Sequence, residues 1–402
     1  MDLSKDNSRS HYSLPWLMLL ASLTALGPLS IDMYLPALPG MAEEFGVSTQ
    51  MVANTLPAYF LGLAVGQLIY GPVSDRIGRK KPLYFGLLLY VVASLLCAFA
   101  TSEWSLIFSR ILQALGGCVG VVIARAAIRD RLDVQASAQA FASMMIVMGI
   151  APVMAPALGA WLLIYFEWHA IFVALALIGI ICCICVALFF KETLQPERRL
   201  KLSARQVLSL YKTIFQDKSF RGPMVIGCFT GAVLFCYISS AASVLIDQYH
   251  LSQQHFAYAF GFNAVGITLF SSINKRLARN MSIIQRLKFG GILQLMGVFI
   301  LLGAGLYDDT ALAIVMSGLF LAVSGIGFTG PNAMALAMAE QGSRAGTASA
   351  IMGSMQFACG LLGGLILNFL FWSPLLNMAL VMLFFIVIGV ASIFKSRNSL
   401  AL

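Results

Sequence analysis

The chain has 402 residues, of which 59% are hydrophobic and only 11% carry a charge. Soluble domains carry about 25% charged residues, so this composition excludes a soluble globular protein, a disordered chain and a disulfide-rich secreted module. A membrane helix needs about 20 apolar residues, and the length leaves room for about twelve of them. The net charge of +9 would suit nucleic acid if the protein were soluble, but its distribution along the chain argues against that partner.

Apolar runs predict twelve membrane-spanning helices. The first run follows Lys5 and Arg9, as a signal sequence would. It contains Asp32 and ends in the pair Pro36 and Pro39 without a small-residue cleavage site, so we expect it to be an uncleaved span. The predicted spans are 14–38, 50–71, 82–101, 104–127, 138–164, 168–190, 221–246, 254–274, 284–306, 311–338, 345–370 and 374–394.

Basic residues alternate between the loops. All but one of the 26 Lys and Arg residues lie at the two ends of the chain or near the loops that follow even-numbered spans. The opposite loops carry acids such as Glu43, Glu103 and Glu167. The positive-inside rule therefore predicts a multi-pass protein of the cell inner membrane with both termini in the cytoplasm. The same distribution favours contact with anionic membrane lipids over contact with nucleic acid.

The longest polar stretch, Lys191 to Ser219, divides the spans six and six. We therefore expect an N-terminal six-helix bundle at 1–190, a basic cytoplasmic linker at 191–219 and a C-terminal six-helix bundle at 220–402. The segment Val207 to Phe215 is either a helix on the membrane surface or part of a flexible connector. In carriers built from paired halves, the substrate site lies between them near the bilayer midplane.

Two charged residues, Asp32 and Arg110, fall well inside predicted spans. A charge at the bilayer centre costs about 2.5–3.5 kcal/mol on insertion scales, so both are functional candidates. The helical rise places each about 9 Å below the outer membrane edge. A carboxyl group balanced between burial and a nearby arginine can gain and lose a proton near physiological pH. Asp32 is therefore either a proton-coupling or substrate-binding acid that Arg110 tunes, or one half of a static ion pair.

The loop after the second span reads Gly71-Pro-Val-Ser-Asp75-Arg76-Ile-Gly78-Arg79-Lys80. It resembles the cytoplasmic loop motif of the major facilitator superfamily, Gly-x-Leu-Ala-Asp-Arg-x-Gly-Arg-Arg/Lys. The resemblance implies a conformational latch rather than a substrate site. We expect Arg125 or Arg129, at the end of the fourth span, to be the partner of Asp75.

Two further motifs lie in the fourth and fifth spans. Arg110-Ile-Leu-Gln113-Ala-Leu-Gly116-Gly117 is similar to the superfamily motif Arg-x-x-Gln-Gly-x-Gly, which is associated with proton coupling. The fifth span resembles the antiporter motif when its proline is aligned on Pro156. Gly159 then matches, four other glycines are replaced by alanines, and Pro152 adds a second bend. The resemblance favours an exporter over an importer.

The first span contains Ile31-Asp32-Met-Tyr34-Leu-Pro36-Ala-Leu-Pro39. This run resembles the signature of the Bcr/CflA branch of twelve-span drug:H⁺ antiporters. The resemblance implies the all-α major facilitator fold, with twelve transmembrane helices in two six-helix bundles. It also implies that Asp32 is the membrane acid of proton/drug exchange. Since no second acid lies between Leu14 and Ile31, one proton per cycle is expected.

Polar and aromatic side chains inside the spans are candidates for the cavity wall or for contacts between helices. Phe235 and Tyr237, midway along the seventh span, can stack on an aromatic drug or pack against their neighbours. Our predicted substrate-binding residues are Asp32, Asn54, Tyr59, Arg110, Gln113, Phe235 and Tyr237. Further candidates for the cavity are Gln67, Asn263, Asn332 and Gln356.

These observations predict a proton-coupled multidrug efflux antiporter for small antibiotics of the chloramphenicol, florfenicol or bicyclomycin type. The alternative is an exporter of an amino acid or another native metabolite. A polytopic membrane enzyme is a remote third possibility, since the sequence has no H-E-x-x-H or G-x-S-x-G pattern and no clustered carboxylates. We expect no enzymatic activity, cofactor or metal. The expected partners are the small-molecule substrate, protons and membrane lipids, and the expected state is a monomer.

Overall fold

A computed structural model describes residues 14–132, 134–199, 203–307 and 310–395. Within these residues the regular secondary structure is entirely helical. Twelve of the described helical segments are long and apolar enough to cross a membrane. The prediction of twelve spans in an all-α membrane protein is therefore confirmed.

The first half contains six spans built from eight helices. A short 3₁₀ turn at Leu35–Ala37 joins the first two helices into one span. The helices are α1 (Leu14–Asp32), α2 (Leu38–Phe45), α3 (Thr49–Ala53), α4 (Thr55–Ile77), α5 (Lys80–Ala98), α6 (Glu103–Arg131), α7 (Val134–Tyr165) and α8 (His169–Phe189).

The second half contains the other six spans and one shorter helix that precedes them. A π-helical segment, Ser243–Gln248, extends the seventh span. The helices are α9 (Ala204–Gln216), α10 (Lys218–Ala242), α11 (Gln253–Leu277), α12 (Ile283–Gly305), α13 (Leu312–Ser324), α14 (Ile326–Met338), α15 (Ala345–Leu367) and α16 (Pro374–Lys395).

The first span is longer than the sequence predicted and reaches Phe45 instead of residue 38. Pro36 and Pro39 do not terminate the helical segment. Each lies in the first turn of the short helix that follows. A proline is tolerated in that position because its missing N–H would have no partner there.

Glycines allow equivalent pairs of spans to pack closely in the two halves. A Cβ on Gly116 of α6 would collide with the backbone of Tyr90 on α5. In the second half, a Cβ on Gly297 of α12 would collide with the backbone of Ala322 on α13. The third and fourth spans and the ninth and tenth spans therefore meet in the same way. Small residues let helices approach closely in lipid, where the hydrophobic effect does not drive them together.

The two halves meet along α4 and α15 and along α7 and α11. The loops with Arg76 and Lys80, and with Lys275 and Arg276, lie at one end of the spans, which we call the basic face. Glu43 and the start of α6 lie at the other end, which we call the acidic face.

The polar segment between the halves contains an ordered helix, α9, so the helical alternative for Val207 to Phe215 is the one observed. The Ser203 side chain caps α9 by accepting a hydrogen bond from the backbone N–H of Gln206. The Tyr211 hydroxyl donates a 2.7 Å hydrogen bond to the carbonyl oxygen of Leu68, and Ile214 is fully buried. This helix is therefore fixed against α4 of the first half.

Candidate substrate and proton site

A cavity of about 330 Å³ lies between the two halves. Its wall includes Asp32 of α1 together with Phe235 and Tyr237 of α10. Most of the other lining side chains are apolar, from α4, α6, α7, α11 and α15. A mainly apolar cavity with a few polar groups is typical of a site for small organic molecules.

Asp32 is the last residue of α1, and its side chain is only 3% exposed. Its Oδ1 atom is buried without a hydrogen-bond partner in the described part of the chain. No ion pair joins Asp32 to Arg110 within the described residues. The described residues of this conformation therefore contain no static Asp32–Arg110 ion pair. A buried carboxyl group without a partner is costly to keep ionised, and it is suited to accepting a proton.

Arg110 is fully buried behind the cavity wall, between aromatic rings. Its guanidinium carbon lies 4.3 Å from the ring centroid of Tyr34 and 4.2 Å from that of Tyr59. Its Nη1 atom donates a hydrogen bond to Oε1 of Gln113, while Nε and Nη2 are buried without partners in the described structure. Cation–π contacts therefore provide much of the stabilisation of this charge.

A chain of hydrogen bonds extends from Arg110 into the first half. The Gln113 amide donates to the Ser94 hydroxyl at 2.8 Å, and Ser94 donates to the carbonyl oxygen of Tyr90. The Tyr90 hydroxyl also shares a 2.7 Å hydrogen bond with Ser30, two residues before Asp32. The network thus links α6 and α5 to the end of α1 that carries the acid.

Four of the predicted substrate-binding residues do not line the cavity. Packing within the first half fully covers Tyr59, Arg110 and Gln113. Asn54 lies between the halves instead, where its Oδ1 accepts a 2.6 Å hydrogen bond from the Asn368 amide. Asn54 is therefore placed to hold the halves together rather than to contact a molecule in the cavity.

Three further polar candidates do line the cavity, namely Gln67, Asn263 and Gln356. The Asn263 amide donates a 3.0 Å hydrogen bond to the Tyr237 hydroxyl. Asn332 is not part of the cavity wall, and its amide donates to Oδ1 of Asn274 and to the carbonyl oxygen of Phe328.

The sequence prediction missed Arg125 as a cavity residue. It lies on α6 and lines the same cavity as Asp32. No hydrogen bond or ion pair connects it to any described residue. The signal in the sequence is the helical spacing of Arg125 from Cys118 and Val121, both of which also line the cavity.

The loop motif forms a compact ionic network at the basic face. The guanidinium of Arg79 is almost fully buried, and it binds Asp75 and, at 2.9 Å, Asp130 of α6. The expectation that Arg125 or Arg129 pairs with Asp75 was therefore wrong. Asp75 pairs instead with Arg79, four residues further along the chain. Because Arg79 also pairs with Asp130, it ties α4 to α6.

Position 78 of this loop, occupied by Gly78, requires a glycine. Its φ of +95° is unfavourable for other residues, and a Cβ there would meet the carboxylate of Glu192. Partial burial favours a higher pKa for Glu192, but hydrogen bonds donated by the backbone N–H groups of Arg79, Lys80, Thr193 and Leu194 lower it overall. The carboxylate therefore caps the start of α5.

The other motif residues of this loop make fewer contacts. Arg76 is exposed at the basic face, and nothing lies near the position that a Cβ on Gly71 would occupy. The Lys80 ammonium lies 5.8 Å from the ring centroid of Tyr84.

The antiporter-like segment of α7 packs directly on the first span. Pro152 lines the cavity and Pro156 is buried in the helix. A Cβ on Gly159 would collide with the carbonyl oxygen of Met33, the residue after Asp32. The end of α1 that carries the acid is therefore in backbone contact with α7.

The family model "Major Facilitator Superfamily" matches residues 20–364 of this chain. The chain belongs to the major facilitator superfamily. An uncharacterised MFS-type transporter of Bacillus subtilis, YdgK, is 34% identical over 344 residues, which cover 85% of each chain. A bicyclomycin resistance protein homolog of Haemophilus influenzae is 28% identical over 350 residues, and these cover 87% of each chain. The multidrug resistance protein MdtL of Citrobacter koseri is 27% identical over 343 residues, with 84% of each chain covered.

Solved structures agree with the fold. A bacterial homolog of the human lysosomal transporter Spinster superposes with a TM-score of 0.71, covering 96% of this chain and 98% of that one at 17% identity. The peptide transporter POT gives a TM-score of 0.73, with 93% of each chain covered at 14% identity. Membership of a transporter superfamily confirms that the chain is a membrane transporter of small molecules and not an enzyme, and the named relatives confirm the resemblance to the Bcr/CflA kind of drug antiporter.

Proposed function

We propose that this protein is a proton-coupled multidrug efflux antiporter of the cell inner membrane. It exports small antibiotics of the chloramphenicol, florfenicol or bicyclomycin type. The observation that supports this proposal is the position of Asp32 in the wall of the cavity between the halves, where its Oδ1 has no hydrogen-bond partner among the described residues. Relatives named for bicyclomycin and multidrug resistance support the choice of substrates.

Competition between a proton and the drug couples the two fluxes. Protonation of Asp32 from outside favours one conformation, and drug binding from the cytoplasm favours release of that proton. The two halves rock around the cavity as this exchange proceeds. One charge moving through 100 mV is worth about 2.3 kcal/mol, enough to concentrate a neutral drug by nearly two decades.

The remaining motif residues serve the conformational change in this proposal. The network at Gly71–Lys80 acts as a latch at the basic face, which we assign to the cytoplasm with both chain termini. Arg110 and Gln113 hold the end of α1 through the buried network. The domain boundaries follow as 1–190, 191–219 and 220–402, and each transporter acts as a monomer.

Drug-triggered proton movement in proteoliposomes tests the proposal. The wild type and Asp32→Asn are compared under an imposed pH gradient with a panel of amphenicols and bicyclomycin. Glu43→Gln is the matched control, because it removes an exposed acid from the acidic face. We expect drug-driven proton release from the wild type and the control and none from Asp32→Asn. Proton exchange that persists in Asp32→Asn would show that the coupling group lies elsewhere.

Export of an amino acid or other native metabolite is the second candidate. The observation that favours it is the presence of Arg125 on the cavity wall, since a guanidinium matches the carboxylate that amino acids and many other metabolites carry. Excretion of amino acids by cells fed with dipeptides distinguishes this function from drug export.

A further inference from the structure

Arg125 lines a largely apolar cavity and has no hydrogen-bond or ion-pair partner among the described residues. The two acids of the ionic network at the basic face, Asp75 and Asp130, are both bound to Arg79. Asp32 is the one acid among the described lining residues. A guanidinium presents a planar set of donors that matches a carboxylate, and leaving those donors unused in an apolar site is unfavourable.

The two charges lie at opposite ends of the cavity. Gly120 of α6 packs against the backbone of Leu23 on α1, which fixes the relative height of the two helices. Asp32 lies nine residues from Leu23 toward the acidic face, and Arg125 lies five residues from Gly120 toward the basic face. Their backbone positions are therefore separated by about 21 Å along the spans. Arg125 is too far away to neutralise Asp32, and it forms a separate site.

Gln67 is the neighbouring polar side chain on the cavity wall. Gly66 of α4 packs on Cys118 of α6, so Gln67 lies about 9 Å above the backbone of Arg125. The long arginine side chain covers much of this distance. A glutamine amide donates hydrogen bonds to a carboxylate, as a guanidinium does, and apolar residues such as Val121 and Met148 line the same cavity.

We propose that Arg125, with Gln67 beside it, forms an anion-binding subsite, and that the transported substrates include amphipathic carboxylates whose acid group binds there. This inference rests on the proposed export function, because it names a substrate class for the same cavity. The apolar body of such a molecule extends toward Phe235 and Tyr237, away from the guanidinium. Asp32 stays free to exchange its proton while the substrate acid is held by Arg125.

Binding of matched acids and amides to the purified full-length protein in detergent tests the subsite. The probes are 1-naphthaleneacetate with 1-naphthaleneacetamide and indole-3-acetate with indole-3-acetamide, near pH 7.5, where the acids are ionised. Each pair shares its aromatic body and differs in charge. The affinities are measured by calorimetry for the wild type, Arg125→Gln and Arg125→Lys. The control is Arg276→Gln, which removes an exposed cation from the basic face.

We expect the wild type and Arg276→Gln to bind each acid about 10- to 100-fold more tightly than its amide, the range for a hydrogen-bonded charge pair. Arg125→Gln loses this preference and keeps the amide affinity, and Arg125→Lys retains part of the preference. Three results would each overturn the subsite: wild type with equal affinities, wild type with no acid binding, or Arg125→Gln with the preference intact.

The proton assay with Asp32→Asn separates this proposal from the proposed function. Coupling to a neutral drug without any acid preference leaves the antiporter and removes the anion subsite. An acid preference that depends on Arg125, without drug-driven proton movement, supports the subsite and removes the proposed coupling.

Discussion

Two arginines of α6 have opposite environments, although both lie within one membrane span. Arg110 is fully buried between Tyr34 and Tyr59, whereas Arg125 faces the cavity. The two residues are fifteen positions apart, which is about 22 Å of helical rise, so they lie at different depths of the span. The buried arginine therefore belongs to the packing of the first half, and the cavity arginine is available to a ligand.

We predict that Arg110→Lys destabilises the protein even though the charge is retained. A lysine ammonium cannot present a planar face to both rings, and the loss is about 1–2 kcal/mol, the range for desolvated cation–π contacts. The measurement is the thermal unfolding temperature in detergent. Arg276→Lys, at an exposed position, is the control and should match the wild type. An unchanged unfolding temperature for Arg110→Lys would mean that the stacking contributes nothing to stability.

At the scale of elements, the contact between α7 and α1 links the antiporter-like motif to Asp32. Gly159 lies against the backbone of Met33, where no side chain fits. Gly149, in the same helix, has room for a side chain, because a Cβ there would make only an ordinary 3.5 Å contact with Oγ1 of Thr268. The two glycines therefore make a matched pair for testing whether the close approach matters.

We predict that Gly159→Ala destabilises the protein by about 1–3 kcal/mol, the usual range for an overpacked site, and that it impairs transport. The added methyl group forces α7 away from the residue that follows Asp32. Gly149→Ala should leave both properties close to wild type. Thermal unfolding and the proteoliposome assay measure the two effects. Equal behaviour of the two variants would contradict a functional contact at Gly159.

The elements follow from the sequence more completely than the site does. Hydropathy locates all twelve spans, because lipid requires long apolar segments whose backbone groups are satisfied within the helix. It underestimates the first span because Pro36 and Pro39 resemble helix breakers, whereas they lie in the first turns of short helices. The helix α9 could be proposed but not distinguished from a connector, since its position depends on contacts with α4.

Side-chain partners were harder to predict than the helices that carry them. Asp32 could be placed in the cavity from its charge and depth. The partner of Asp75 could not be chosen correctly, because Arg79, Arg125 and Arg129 all lie near the same face. The sequence predicts Arg125 as a partner for Asp75, whereas its position on the cavity wall depends on the rotation of α6, which an irregular apolar pattern does not specify.

At the scale of the whole molecule, contacts join the halves on both sides of the cavity. Asn368 donates its hydrogen bond to Asn54 near the acidic face. Near the basic face, a Cβ on Gly346 of α15 would meet the guanidinium of Arg129. Alternating access requires one of these closures to open while the other holds. The pair at Asn54 and Asn368 is thus a direct probe of opening at the acidic face.

We predict that a disulfide between Asn54→Cys and Asn368→Cys stops transport, because it prevents separation of the halves at the acidic face. The variant is built in a background without the eight native cysteines. Cross-linking is quantified by mass spectrometry of the linked peptides, and transport by the proteoliposome assay. Each single-cysteine variant is the control, and a reducing agent should restore activity to the double variant. Full activity in the cross-linked protein would mean that substrate does not leave through this face, and the rocking of two halves would then have to be replaced by a smaller local gate.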